Sequence, residues 1–238
     1  MRPPDPPELL SIIVPVYNEA GTVRLVLDRL VSIDLPLARE ILVVDDGSTD
    51  GTAAALAAAV RDGLPVTIIS PGRNGGKGSA LRIGLAHARG TIVAIQDADL
   101  ELDPAQLGTL VAPIVAGTTR VVYGSRFLNG APSGPWLSVA ANRLLTGVTN
   151  VLYGASLTDM ETCYKIMRLD VARSLRLEAN RFDIEPQITA RLLRAGHRVT
   201  ELPVRFEART RKQGKKIGWR DGVRALNVLV AERFRSAR

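Results

Sequence analysis

The sequence predicts an α/β domain, a mostly parallel sheet covered by helices on both faces. Three observations predict it. Short β-branched runs alternate with segments of helical spacing. Each run is continuously apolar rather than alternating, as strands buried on both faces require. The polar residues that follow the runs cluster at the carboxyl ends of the strands, where such sheets bind ligands.

Leu10 to Val16 (LSIIVPV) is the first strand, and Glu19 to Ile33 follows as a helix through Val23, Val26, Leu27 and Leu30. Glu40 to Val44 (EILVV) is the second strand and the alanine-rich Thr52 to Val60 the second helix. Val66 to Ile69 is a third strand, and Lys77 to Ala88 a helix behind a glycine loop. Thr91 to Ile95 is a fourth strand, Pro104 to Val115 a helix opened by proline, and Arg120 to Tyr123 a fifth strand. The pattern loosens after Arg126. It returns at Trp219 to Phe234, where Trp219, Val223, Leu226, Leu229, Val230 and Phe234 mark an amphipathic helix. No repeat or low-complexity linker interrupts the chain. One continuous domain is expected over 10–218, after a flexible proline-rich 1–9 and before the helical segment 219–238.

With 46% apolar residues among 238, the chain can bury a sizeable core, and with only 4% aromatics that core must be aliphatic. Cys163 is the single cysteine, which excludes an intramolecular disulfide and suits a reducing cytoplasm. No signal-peptide pattern and no run of about 20 apolar residues is present, so the chain is expected to touch a membrane without crossing it. The net charge is +7. From Arg205 onward eleven basic residues stand against Glu207, Asp221 and Glu232, so the excess lies wholly in that last segment. Such a segment is either a solvated tail or an anion site for phosphate, lipid headgroup or nucleic acid. No recognised nucleic-acid motif accompanies it.

Four strand ends carry the chemistry: Pro15, Tyr17, Asn18 and Glu19; Asp45 and Asp46; Asp97, Ala98 and Asp99 with Glu101 beyond; and Gly124, Ser125 and Arg126. Asp50 and Asp103 read as helix caps. Asp97 and Asp99, one residue apart, repel each other and need a neutralising partner. Their oxygen ligands suit Mg²⁺ or Mn²⁺, and a simple turn is the alternative. No His/Cys zinc spacing exists, and His87 and His197 read as surface residues. The glycine loop Pro71 to Ser79 fails the P-loop pattern, because Pro71 holds the first glycine position and Gly78 follows the lysine. It reads as a strand-to-helix turn, with a phosphate-facing Lys77 as the other reading.

The segments SIIVPVYNEAGTV, EILVVDDGSTDGT, RNGGKGSALRIGLAHARG, VAIQDADLELDP and VVYGSRF together resemble family 2 glycosyltransferases of the GT-A fold, whose nucleotide-binding half is Rossmann-like. TDMETCYKIMR, FDIEPQIT and ARTRKQGKKIGWRDG are similar to the dolichyl- or polyprenyl-phosphate sugar synthases of that family. The resemblance implies inverting, metal-dependent transfer of a hexose from a UDP- or GDP-linked donor to a polyprenyl phosphate, at the cytoplasmic face of a membrane.

It also implies roles for individual residues. Pro15, Tyr17, Glu19 and Asp46 would cradle base and ribose, with Val44, Lys77 and Ala98 also on the donor side. Asp97, Asp99 and Glu101 would hold the metal against the diphosphate. Arg126 would meet a donor or acceptor phosphate, and Arg209 and Lys216 would belong to a loop closing over the diphosphate. Many relatives have a tyrosine where Arg211 follows the Arg-Thr pair. Asp99, Arg126, Asp159, Arg209 and Lys216 form the expected catalytic set.

A phosphate acceptor is ionised near neutral pH and needs no general base, whereas a hydroxyl acceptor does. Asp159 and Glu161 lie where hydroxyl-accepting relatives keep a carboxylate, so Asp159 either orients the acceptor or a loop cation, or forms a structural ion pair. The segment Trp219 to Phe234 either rests on acidic lipid or packs on the core or a second subunit, which leaves a homo-oligomer open. Transfer to a soluble or glycan hydroxyl, and nucleotide-sugar binding without turnover, are the competing functions.

Overall fold

The computed structural model describes residues 8–130, 132, 135–208 and 219–235. In chain order the elements are β1 (Leu9–Val16), α1 (Val23–Ser32), β2 (Ala38–Asp45), α2 (Thr52–Arg61), β3 (Val66–Ile69), α3 (Lys77–His87) and β4 (Ile92–Ile95). A 3₁₀ turn (Pro104–Gln106), α4 (Leu107–Val115), β5 (Val121–Ser125), α5 (Trp136–Tyr153) and β6 (Lys165–Arg168) follow. The chain then forms α6 (Leu169–Ser174), α7 (Ile184–Arg194), β7 (Thr200–Pro203) and α8 (Trp219–Phe234).

The seven strands form one mixed sheet in the order β3-β2-β1-β4-β6-β5-β7. β1, β2, β3 and β4 run parallel, as their unbroken apolar runs predict. Ile12, Ile13, Val14, Val43, Val44, Ile92 and Ala94 are fully buried at its centre. Helix α3 lies close on β1 because Gly84 has no side chain; a Cβ there would collide with Ile13.

Most boundaries fall within two residues of expectation, and two helix starts and one region depart further. The first helix begins at Val23, not Glu19, because Asn18 adopts a left-handed conformation (φ 52°) and the Glu19 N–H donates to the Thr52 hydroxyl at 2.9 Å. The fourth helix opens with a separate 3₁₀ turn, capped by Asp103, whose carboxylate accepts from the Ala105 N–H. The loose region after Arg126 holds two strands, β6 and β7, and three helices, α5, α6 and α7, that periodicity did not reveal. β6 enters antiparallel between β4 and β5. It is four residues long and begins with a buried lysine, so no apolar run marks it.

Helices α5, α7 and α8 make a smaller cluster through Leu145, Met160, Ala190, Ala225 and Leu229. Helix α8 packs on the protein: the Tyr153 hydroxyl donates to the Leu229 carbonyl at 2.6 Å, and Glu232 accepts from Gln187 at 2.9 Å and pairs with Arg191 at 2.7 Å. Its Val223, Leu226, Val230 and Phe234 remain exposed, as do Trp136, Leu137, Leu144 and Val151 of α5. Among the described residues no helix is long and apolar enough to cross a membrane.

Candidate active site

The loops after β1 and β2 are stitched together. Asn18 receives the Thr49 N–H on its side-chain oxygen at 2.8 Å, and its own N–H donates to the Ser48 hydroxyl at 3.0 Å. Asp50, read from sequence as a helix cap, stands one residue before the N-cap Gly51 of α2 and accepts from the Thr52 N–H at 2.9 Å. Pro15, Tyr17 and Glu19 are partly exposed along this seam. Val44 and Ala98, expected on the donor side, are 0% and 2% exposed, with their side chains packed in the core.

Asp46 is buried and its carboxylate organises the glycine loop. It accepts the Gly75 N–H at 2.8 Å and the Gly76 N–H at 2.7 Å. Gly76 sits at φ 91°, and a Cβ on Gly76 or Gly78 would collide with the carbonyls of Asn180 and Ala179. These glycines therefore serve a close approach of two chain segments. The Ser79 N–H, at the start of α3, donates to the Asn180 carbonyl at 3.0 Å.

Lys77 turns inward. Its ammonium lies 2.9 and 3.0 Å from the two oxygens of Asp97 and 3.0 Å from Glu185 Oε1, the last an ion contact without hydrogen-bond alignment. Burial works against its charge, but Asp97 foremost and Glu185 as well raise its pKa well above the ordinary lysine value. Glu185 Oε2 pairs in turn with the fully buried Lys165 at 2.6 Å, and the Lys165 ammonium also donates to the Met160 carbonyl at 3.0 Å and to the Thr162 carbonyl. Asp97, Lys77, Glu185 and Lys165 thus alternate in charge from the carboxyl end of β4 into the core. Such a chain is tolerated because each buried charge has an opposite neighbour.

Asp99 accepts the Glu101 N–H at 3.1 Å, a turn contact that carries the chain past the strand end. Among the described residues no three His, Cys, Asp or Glu side chains converge into a metal cage, so Asp97, Asp99 and Glu101 are not gathered as a triad. Hard oxygen donors suit Mg²⁺ or Mn²⁺ nonetheless, since Mg²⁺ is usually held by one or two carboxylates plus substrate phosphates.

Arg126 closes the other side. Its Nε and Nη2 fork onto Asp159 at 2.7 Å each, and its backbone N–H adds a third bond at 3.0 Å. Asp159 is 0% exposed, and its own N–H is held by Glu201 at 3.0 Å. The guanidinium also lies 5.1 Å from the centre of the Phe206 ring. The Glu207 N–H donates to the Glu101 carbonyl at 2.9 Å, so the chain approaching residue 209 passes beside the acidic strand end. Arg209 and Lys216 lie outside the described residues.

Sequence reasoning missed Glu185, Lys165 and Glu201. Glu185 lies within FDIEPQIT, a segment singled out without assigning it a role. Only the pairing across α7, β6 and α3 gives it one.

Residues 11–176 match the family model described as Glycosyl transferase family 2. A dodecaprenyl-phosphate galacturonate synthase of Rhizobium johnstonii is 29% identical over 95% of this chain and 68% of its own length. An undecaprenyl-phosphate mannosyltransferase of Micrococcus luteus is 30% identical over 91% of this chain and 90% of its own. Against other curated relatives the chain spans less, from 63% down to 34% of their length. The crystal structure of glucosyl-3-phosphoglycerate synthase from Mycobacterium tuberculosis, in complex with Mn²⁺, UDP and glucosyl-3-phosphoglycerate, superimposes with a TM-score of 0.73. That likeness covers 95% of this chain and 80% of the other at 20% identity, and bears on the fold.

Proposed function

The chain belongs to glycosyl transferase family 2, and from that premise we propose that it moves a hexose from a UDP- or GDP-linked donor onto a polyprenyl phosphate at a membrane surface. The observation that carries the acceptor class is the Arg126–Asp159 pair. A carboxylate with no exposure and both oxygens held by an arginine fork is poorly disposed to take a proton from a hydroxyl. An acceptor phosphate has no such proton to lose near neutral pH. Its oxygen attacks the anomeric carbon, the bond to the diphosphate breaks with inversion, and the nucleotide leaves. The relatives named for dodecaprenyl- and undecaprenyl-phosphate support the same class.

On the donor side, Pro15, Tyr17 and Glu19 line the seam for base and ribose, and Asp46 acts by fixing the glycine loop beside them. Asp97 and Asp99 supply the oxygens for Mg²⁺ or Mn²⁺. When bound, that ion would offset negative charge growing on the leaving diphosphate. Arg126 keeps three N–H groups beyond those committed to Asp159, enough to meet a phosphate in a fixed orientation. Arg209 and Lys216 would add charge over the diphosphate.

The apolar face of α5 and α8 supports the membrane reading. Eight large apolar side chains stay exposed on these two neighbouring helices, with Arg143, Arg224 and Arg233 beside them. Such a face suits the interfacial zone of an acidic bilayer, on the cytoplasmic side where nucleotide sugars are available. A donor screen with and without polyprenyl phosphate, reading released nucleotide, tests the proposal. Release that depends on the lipid phosphate is expected. Release driven by a glycan hydroxyl and indifferent to the lipid would overturn it.

A further inference from the structure

Asp97 is engaged by an internal cation. The Lys77 ammonium touches both of its oxygens, at 2.9 and 3.0 Å, and Lys77 is only 12% exposed. The same ammonium has a second anion at equal distance, Glu185 Oε1 at 3.0 Å. Glu185 is itself fixed, because its other oxygen is held at 2.6 Å by Lys165, which has no exposure. Lys77 is also the first residue of α3, and its position there is set by the glycine loop pinned to Asp46. One flexible cation therefore stands between a carboxylate at the carboxyl end of β4 and one anchored in the core.

We propose that Lys77 is a built-in competitor of the divalent cation: it neutralises Asp97 in the metal-free protein and transfers its pairing to Glu185 when the metal arrives. This rests on the reading of Asp97 and Asp99 as the metal pair. A divalent cation on Asp97 needs the oxygens that the ammonium now contacts, and two cations on one carboxylate repel. Lysine suits the exchange, being a point charge on a flexible stem, where an arginine fork would hold its geometry. Glu185 gives the displaced ammonium a partner without burying an unpaired charge. Glu185 is thus a positioning residue that sets metal affinity through Lys77 and touches no ligand itself. Metal entry is thereby coupled to a side-chain movement at the start of α3.

The test is Mn²⁺ affinity measured by calorimetry and by the paramagnetic resonance signal of free Mn²⁺, with UDP or GDP present and absent. Lys77→Met removes the competing charge at similar volume, so Mn²⁺ should bind about tenfold tighter or more, the scale of one unit charge acting on a dication at intermediate dielectric. Glu185→Gln leaves Lys77 with Asp97 as its chief anion, so Mn²⁺ should bind several-fold weaker. A purely structural role for Lys77 would weaken both variants, so the opposite signs are decisive. If Lys77→Met does not fold, judged by circular dichroism, Lys77→Gln is measured in its place with the same expectation. Unchanged or weaker Mn²⁺ binding in the folded Lys77 variant overturns the competitor role while leaving the metal site standing. Absence of Mn²⁺ binding in the unaltered chain, even with nucleotide, overturns the metal reading and the competitor role together.

Discussion

Arg126 and Asp159 are joined by three hydrogen bonds, two from the guanidinium at 2.7 Å and one from the Arg126 backbone at 3.0 Å. Residues 33 apart are thereby fixed at the end of β5, with the carboxylate sealed and the arginine still partly open. The orientation of Arg126 depends on Asp159, and the behaviour of variants at both positions follows.

Asp159→Asn should destabilise the protein by about 3 kcal/mol, since it leaves a nearly buried guanidinium without its counter-charge. Turnover on a polyprenyl phosphate should fall with a rise in acceptor KM, because Arg126 is no longer held. The shape of the pH–rate profile should not change. Loss of an acidic limb from that profile, with folding intact, would mark Asp159 as a general base instead.

EDTA should abolish transfer, and Mn²⁺ or Mg²⁺ should restore it. Asp99→Asn should lose metal-dependent donor binding in calorimetry while its melting temperature stays within a few degrees of the unaltered chain, because Asp99 is partly exposed and the asparagine side-chain oxygen can still accept the Glu101 N–H of the turn. Full activity of this variant in chelator would remove Asp99 from the metal pair.

Glu161 couples stability to pH. Its Oε1 is sealed from solvent without a hydrogen-bond partner, although the residue keeps some exposed surface, and burial raises its pKa from 4.5 to about 7. Between these values the folded chain holds a proton that the unfolded chain has released, so stability falls as pH rises through the window. The loss should reach up to about 3 kcal/mol above pH 7, scaled from the shift. Glu161→Gln should therefore resist urea better than the unaltered chain at pH 8, with little difference at pH 5. Equal gaps at the two pH values would show that Glu161 is not the coupled group.

Leu144→Asp in α5 and Val230→Asp in α8 both charge the exposed apolar face without entering the core. Each should reduce co-sedimentation with anionic vesicles several-fold and leave the melting temperature nearly unchanged. Turnover should drop on vesicle-borne acceptor and persist on a short, water-soluble polyprenyl phosphate. Unaltered vesicle binding in both variants would exclude this face from membrane contact.

The sequence by itself determined the alternation of strands and helices as far as Arg126, the cap at Asp103, and the acid pair after β4. These rest on local periodicity and on hydrogen bonds within two or three residues, which a short window of sequence contains. It also marked the apolar positions of α8, though not which of them would be covered. Tertiary structure alone decided that Lys77 would pair with Asp97 and Glu185, that Asp159 would hold Arg126, and that Leu229 of α8 would pack inward while Val230 stays out. Tertiary structure also put β6, with its leading lysine, between β4 and β5. A buried charge carries no signal of its own in a sequence. Its partner comes from a distant segment, and only the folded sheet brings the two within reach.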